Sequence, residues 1–233
     1  MEMIINGVIE AFLMLITFNP EIYAITWLTL KVSGLATLIS LIIGIPLGVM
    51  LAWIHFPGRR LIVSIVNTAM GFPPVVVGLW VYLLLARNGP LGELELLYTP
   101  TAIVIAQAVI ASPIVMGLTN AAIMQVDEKM RMQIKALGAT RLQMLFLVIR
   151  EVRFAIIAAI IAGFGAVVSE VGASMMVGGN IKGYSRVLTT ATVMEVSKGN
   201  TQVAIGISVI LMLLAYLVTL GLTLLQQRDS KGW

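Results

Sequence analysis

Residues 127–149 read DEKMRMQIKALGATRLQMLFLVI and form the heart of the most polar stretch of the chain, Gln125 to Arg153. Asp127 is placed to cap a short helix, Glu128 to Leu137, with acids at its positive end. Gly138 stops that helix, because it takes the left-handed conformation that helix ends often require. Thr140-Arg141-Leu142-Gln143 then has the form of a capping box and opens a second helix. Met130, Ile134 and Leu137 fall on one face at i, i+4 and i+7. The local physics is helix, break, helix. Taken alone it describes an ordinary surface loop as well as a docking element.

What surrounds this stretch is almost entirely apolar. Of 233 residues 59% are hydrophobic and 11% charged, with a mean hydropathy of +1.01. Soluble domains carry about 25% charged residues, so a water-soluble globular protein is excluded. The apolar runs are long and continuous, unlike the alternating segments of about 10 residues in a membrane β-barrel. At about 20 residues per crossing, the expectation is an all-α polytopic membrane protein of about five spans: 29–54, 61–85, 101–124, 153–177 and 203–225. Residues 125–152 form the loop between the third and fourth, and 226–233 a short tail. Met3 to Phe18, within a lead segment 1–21, is too short to span comfortably and carries Glu10, so it reads as an amphipathic helix at the interface. It lacks the cationic start of a removable signal peptide. With so short a tail, no regulatory domain is expected after Leu225.

Charge sets the orientation. With the N-terminus outside and the C-terminus inside, the inner segments hold Arg59, Arg60, Lys129, Arg131, Lys135, Arg141, Arg150, Arg153, Arg228 and Lys231. The outer segments hold Lys31, Arg87, Lys182, Arg186 and Lys198, so ten of the 15 cations face inward, as the positive-inside rule asks. Cysteine is absent, which excludes disulfides and thiolate chemistry. His55 is the single histidine and cannot build a metal site. There is no Gly-x-x-x-x-Gly-Lys-Ser/Thr phosphate loop, no His-Glu-x-x-His and no Gly-x-Ser-x-Gly, so neither ATP binding by a phosphate loop nor an enzyme is expected.

Glu170 is the one acid that must lie within a span, roughly 24 Å along the helix from Phe154. A carboxylate there is a functional-site candidate by its burial cost. A bare carboxylate would repel a dianion, so a gate or packing role is favoured over direct contact with cargo. The alternatives are a pair with Lys31 or Arg186, or a carboxyl protonated by burial. Pro73-Pro74 breaks the backbone ladder at mid-span, and such a break survives only where it is buried or faces a cavity. Thr68, Pro73, Pro74, Ser112, Ser169 and Ser174 are candidates for a constriction, and Asn180 joins them in the outer segment. A packing kink is the simpler alternative. Gly44 and Gly48 fit a small-xxx-small seam for close helix contact within the subunit.

Three stretches resemble known permeases. KALGATRLQMLFLVI, Lys135 to Ile149, resembles the cytoplasmic signature loop of ABC-importer permeases. Met132, Gln133 and Ile134 stand where the family has Glu-Ala-Ala, and Arg150-Glu151 where it closes with Leu-Pro. PPVVVGLWVYLLLARNGPLG, Pro73 to Gly92, and SEVGASMMVGGNIKGYSRVLTTA, Ser169 to Ala191, resemble oxyanion permeases for molybdate, tungstate and sulfate. Glu170 to Ala173, Gly178 to Ile181 and Ser185 to Thr190 are most similar to the tungstate group. Many molybdate permeases instead have Phe after the Glu and Pro in the outer loop, where this chain has Val171 and Lys182.

The resemblance implies a type I ABC importer permease in the cytoplasmic (inner) membrane of a prokaryote. It implies a homodimer, two ATP-binding subunits below and an extracytoplasmic oxyanion-binding protein above, working by alternating access among membrane lipid and without nucleic acid. ATP and Mg would belong to the ATPase, with no cofactor in this chain. Lys135, Ala136, Leu137, Gly138, Ala139, Thr140 and Arg141 would be the coupling residues. A secondary transporter or channel would instead show paired inverted repeats and ionisable groups at the midplane, and neither is visible.

Overall fold

The computed structural model describes residues 2–17 and 19–230, and among them every regular element is a helix. Phe18, Lys231 and the end of the tail lie outside the described residues. Helix α1 (Glu2–Ile16) is followed by α2 (Pro20–Trp53). At 34 residues, α2 is about 51 Å long. It begins earlier than the apolar run suggests because Asn19 accepts from the N–H groups of Glu21 and Ile22, and Pro20 sits at the first helical position, where its missing N–H costs nothing.

The run from Leu61 to Leu85 is not one straight span. It divides into α3 (Arg59–Met70) and α4 (Pro74–Leu85), which meet at 103°. Pro73 and Pro74 have no N–H to continue the ladder, and Pro73 drives Phe72 out of the helical region. Helix α5 (Pro100–Met124) opens on Thr99, whose hydroxyl accepts from Ala102 N–H at 3.2 Å. The polar stretch folds as α6 (Glu128–Ala136) and α7 (Arg141–Glu151). The fourth apolar run is also broken, into α8 (Arg153–Val168) and α9 (Gly172–Gly178), bent by 57°. An unforeseen helix, α10 (Leu188–Ser197), follows because Thr29 of α2 accepts from Leu188 N–H at 2.9 Å. Helix α11 (Thr201–Ser230) ends the bundle. Helices α2, α5 and α11 are long and apolar enough to cross a membrane, and the two bent pairs raise the number to five if each is one crossing.

The core is built on α2 and α5, which run parallel. Ser40 donates to Ala108 O at 3.4 Å, Gly44 lies against Val115, and Gly48 lies against Met116 O and Thr119. The small-residue seam therefore packs inside the subunit. Helices α4 and α9 close around the upper part of this pair, through Val81, Leu85, Ala173 and Val177. Helix α1 lies along α11. Gly7 and Ala11 pack on Ile205 and Gly206 of α11, while Ile4, Ile5, Ile9, Phe12, Leu13 and Ile16 point outward. An outward face that apolar suits contact with lipid.

Candidate translocation path and coupling loop

Both broken spans meet at one place. Gly78 of α4 lies so close to Ala173 of α9 that an added Cβ would come within 2.6 Å of Ala173 Cα, and a Cβ on Gly172 would meet Val75 at 2.5 Å. Below this contact a cavity of about 450 Å³ is lined by Met70, Gly71, Phe72 and Pro74 from the first break, Pro113 from α5, and Ser169 and Glu170 from the second.

The second break is held by hydrogen bonds from both sides. Glu170 is 6% exposed, and its Oε1 accepts from Ala173 N–H at 2.8 Å, so the carboxylate caps α9. Its carbonyl accepts from Thr189 Oγ1 at 3.0 Å. Gln107 Nε2, from mid-α5, donates to Val167 O and to Ser174 Oγ, both at 3.2 Å. Backbone freed by a break must find such partners when water is absent. Neither Lys31 nor Arg186 pairs with Glu170. Arg186 instead reaches Glu21 at 3.5 Å, and Lys182 reaches the same carboxylate at 2.7 Å.

The other candidates divide. Pro74, Ser169 and Glu170 share the cavity. Thr68 is exposed on α3 and donates to Ser64 O, and Pro73 is an exposed cap of α4. Ser112 donates to Ala108 O beside the Gly44 seam, whereas its neighbour Pro113 lines the cavity. Ser174, within α9, is buried against α5, where Gln107 reaches its hydroxyl. Asn180 belongs to the far end, where it accepts from Arg186 Nε at 3.2 Å and stands at φ 50°. Gln107 and Thr189 were not singled out from the sequence. The available signal for Gln107 was an amide inside the apolar run 101–124, which it shares with Asn120.

The polar stretch from Asp127 to Glu151 folds as its caps require. Asp127 accepts from Lys129 N–H at 2.9 Å. Gly138, at φ +82°, closes a Schellman turn in which Gly138 N–H reaches Lys135 O and Ala139 N–H reaches Ile134 O, satisfying carbonyls that the helix end leaves free. Thr140 and Gln143 complete the capping box at 2.8 and 3.3 Å. Leu137, Leu142 and Phe146 stand 87%, 79% and 67% exposed around an open groove that Gly138 and Ala139 also line. Apolar side chains so gathered at the tip of a charged element mark an interaction surface.

With this architecture in view, the comparisons are direct. Residues 44–231 match the family described as binding-protein-dependent transport system inner membrane component. The tungstate uptake system permease protein TupB of Peptoclostridium acidaminophilum is 38% identical over 97% of this chain and 100% of its own length. TupB of Campylobacter jejuni is 36% identical over 93% of this chain and 90% of its own. The molybdenum transport system permease protein ModB of Escherichia coli K12 is 31% identical over 76% and 80%. Among solved structures, a bacterial ABC transporter involved in the import of the acidic polysaccharide alginate has the same fold, with TM-score 0.75 at 19% identity over 94% of this chain and 83% of that one. The fold is that of a type I ABC importer permease. The chain belongs to the binding-protein-dependent transport system inner membrane component family, and is a transport component of the inner membrane, not an enzyme.

Proposed function

We propose that this chain carries tungstate inward as the permease of an ATP-driven importer. The observation that carries the reading is the 38% identity to a tungstate permease across essentially the whole of both chains. The stretches that resemble the tungstate group are also structurally significant here, since Glu170 to Ala173 makes the capped break and Gly178 to Thr190 makes the turn that binds Arg186 and docks α10.

The chain works as a homodimer. Helix α3 has no buried residue and exposes Ser64, Asn67 and Thr68. Such side chains at membrane depth need polar company, which a second copy across a hydrated two-fold path supplies. The N-terminus faces outward, and Glu21, Lys182 and Arg186 receive the binding protein's side. Two ATPase subunits dock below on Leu137, Leu142, Phe146 and the Lys135 to Arg141 turn, and hold the ATP and Mg. Closure of the ATPases pushes α6 and α7 against α5 and α8, and the capped break at Glu170 shifts α9 to open or shut the path. Two states a few kcal/mol apart suffice for this exchange.

The test is ATPase activity of the permease co-purified with its ATPase and reconstituted in liposomes, with binding protein loaded in turn with tungstate, molybdate or sulfate. Stimulation by the tungstate-loaded form is expected. Stimulation by the molybdate- or sulfate-loaded form alone would reassign the cargo. Absence of a co-purifying ATPase would return a secondary transporter to first place.

A further inference from the structure

The bundle separates its charges by end. The pairs of Glu21 with Lys182 and Arg186, and of Glu195 with Lys198, lie together at one end. At the other, His55, Arg59, Arg60, Arg131 and Arg141 have no carboxylate within 4 Å among the described residues. Between the last turn of α2 and the coupling element this cationic end holds a cavity of about 460 Å³, lined by Trp53, Ile54, His55, Arg131, Arg141 and Met144. No acid lines it.

Arg131 is fixed in place there. Its Nη2 donates to Ile123 O near the end of α5, its guanidinium lies 5.8 Å from the Trp53 ring centre, and its Nε is buried without a hydrogen bond. Guanidinium and imidazole groups that line one cavity without a carboxylate are matched by phosphate oxygens. The remaining walls are apolar. Trp53 closes the longest apolar helix, at the depth where tryptophan marks the boundary between chains and headgroups, and Ile54 beside it is 47% exposed. A free anion would occupy the donors and leave that apolar wall in water. An amphiphile fills both.

We infer that this cavity binds the phosphate headgroup of an anionic membrane lipid, with the phosphate among Arg131, Arg141 and His55 and an acyl chain along Trp53 and Ile54. Basic pockets between helices on the cytoplasmic side suit such headgroups. The cavity lies between the end of α2 and helices α6 and α7, so the bound lipid ties the coupling element to the bundle. The inference does not depend on the cargo.

The test is quenching of Trp53 fluorescence in the full chain reconstituted in phosphatidylcholine vesicles, with Trp27, Trp80 and Trp233 each replaced by Phe. Phosphatidylglycerol brominated in its acyl chains should quench at a mole fraction about fivefold lower than brominated phosphatidylcholine. The double variant His55→Gln with Arg131→Gln should lose that preference. His55→Gln alone, at an exposed position after α2, should reduce it and keep the fold. Equal quenching by the two lipids, or an unchanged preference in His55→Gln, would overturn the assignment. Displacement of the brominated phosphatidylglycerol by millimolar inorganic phosphate would overturn the lipid source in favour of a free anion.

Discussion

Gln107 donates from the middle of α5 to the carbonyl oxygen of Val167 at 3.2 Å, just where α8 gives way to the break before α9. The same Nε2 reaches Ser174 Oγ on the far side of that break. One amide thus holds both halves of the bent span to the helix at the centre of the bundle, and its Oε1 is buried without a partner.

Replacing Gln107 by Leu leaves Val167 O without this side-chain donor and removes the bridge to Ser174. A cost of about 1–3 kcal/mol is expected, read as a lowered midpoint of thermal unfolding in detergent. Cargo uptake should fall more steeply than the assembled complex is lost. Unchanged stability and uptake would show that the break holds itself.

Glu170 is argued to act as a cap and not as a ligand for cargo. Gln retains an oxygen for Ala173 N–H, so Glu170→Gln should keep both stability and most of the uptake. Glu170→Ala loses the cap at about 1 kcal/mol and should impair uptake. Complete loss of uptake in a well-folded Glu170→Gln protein would assign the charge itself to the path.

Gly48 meets backbone. A Cβ there would lie 2.6 Å from Met116 O and 2.8 Å from Thr119 Cβ, so Gly48→Ala should force α2 and α5 apart and cost about 1–3 kcal/mol. Gly221→Ala, with nothing within 4 Å, is the control and should be neutral or slightly stabilising in its helix. Equal unfolding midpoints for the two variants would contradict the seam.

Gly138 holds φ +82° with nothing near its Cα to obstruct a side chain. A β-branched residue is strained there by about 1–2 kcal/mol. Gly138→Val should therefore insert normally but hydrolyse ATP without import. Normal tungstate uptake by that variant would remove Lys135 to Arg141 from the coupling role.

Lys198 donates to the Glu195 carboxylate, and so does Asn200, both at 2.8 Å, and these bonds hold its pKa below the usual carboxylate value. A lowered folded-state value means the stabilisation is present above the unfolded value of 4.5 and is lost as pH falls through the folded one. The parent should unfold at a higher temperature than Glu195→Gln near neutrality, and the difference should vanish in strong acid. A difference that persists there would point to packing instead.

The amino-acid order by itself determined the features whose causes are local. Long apolar runs exclude water as the solvent of the fold, and the helix ends at Asp127, Gly138 and Thr140 follow from side chains and backbone within a few residues of each other. The breaks at Pro73-Pro74 were legible for the same reason, since proline removes its own N–H. The size of those breaks was not legible, because 103° between α3 and α4 is set by what each half packs against. Likewise no local pattern could say that Glu170 would cap α9 instead of pairing with Lys31 or Arg186, that Gln107 would meet Val167 sixty residues on, or that Thr29 would start α10. Nor could composition show α1 turning an apolar face outward. Hydrogen bonds across helices and the convergence of His55, Arg131 and Arg141 depend on which surfaces close packing brings together, and only the tertiary structure decides that.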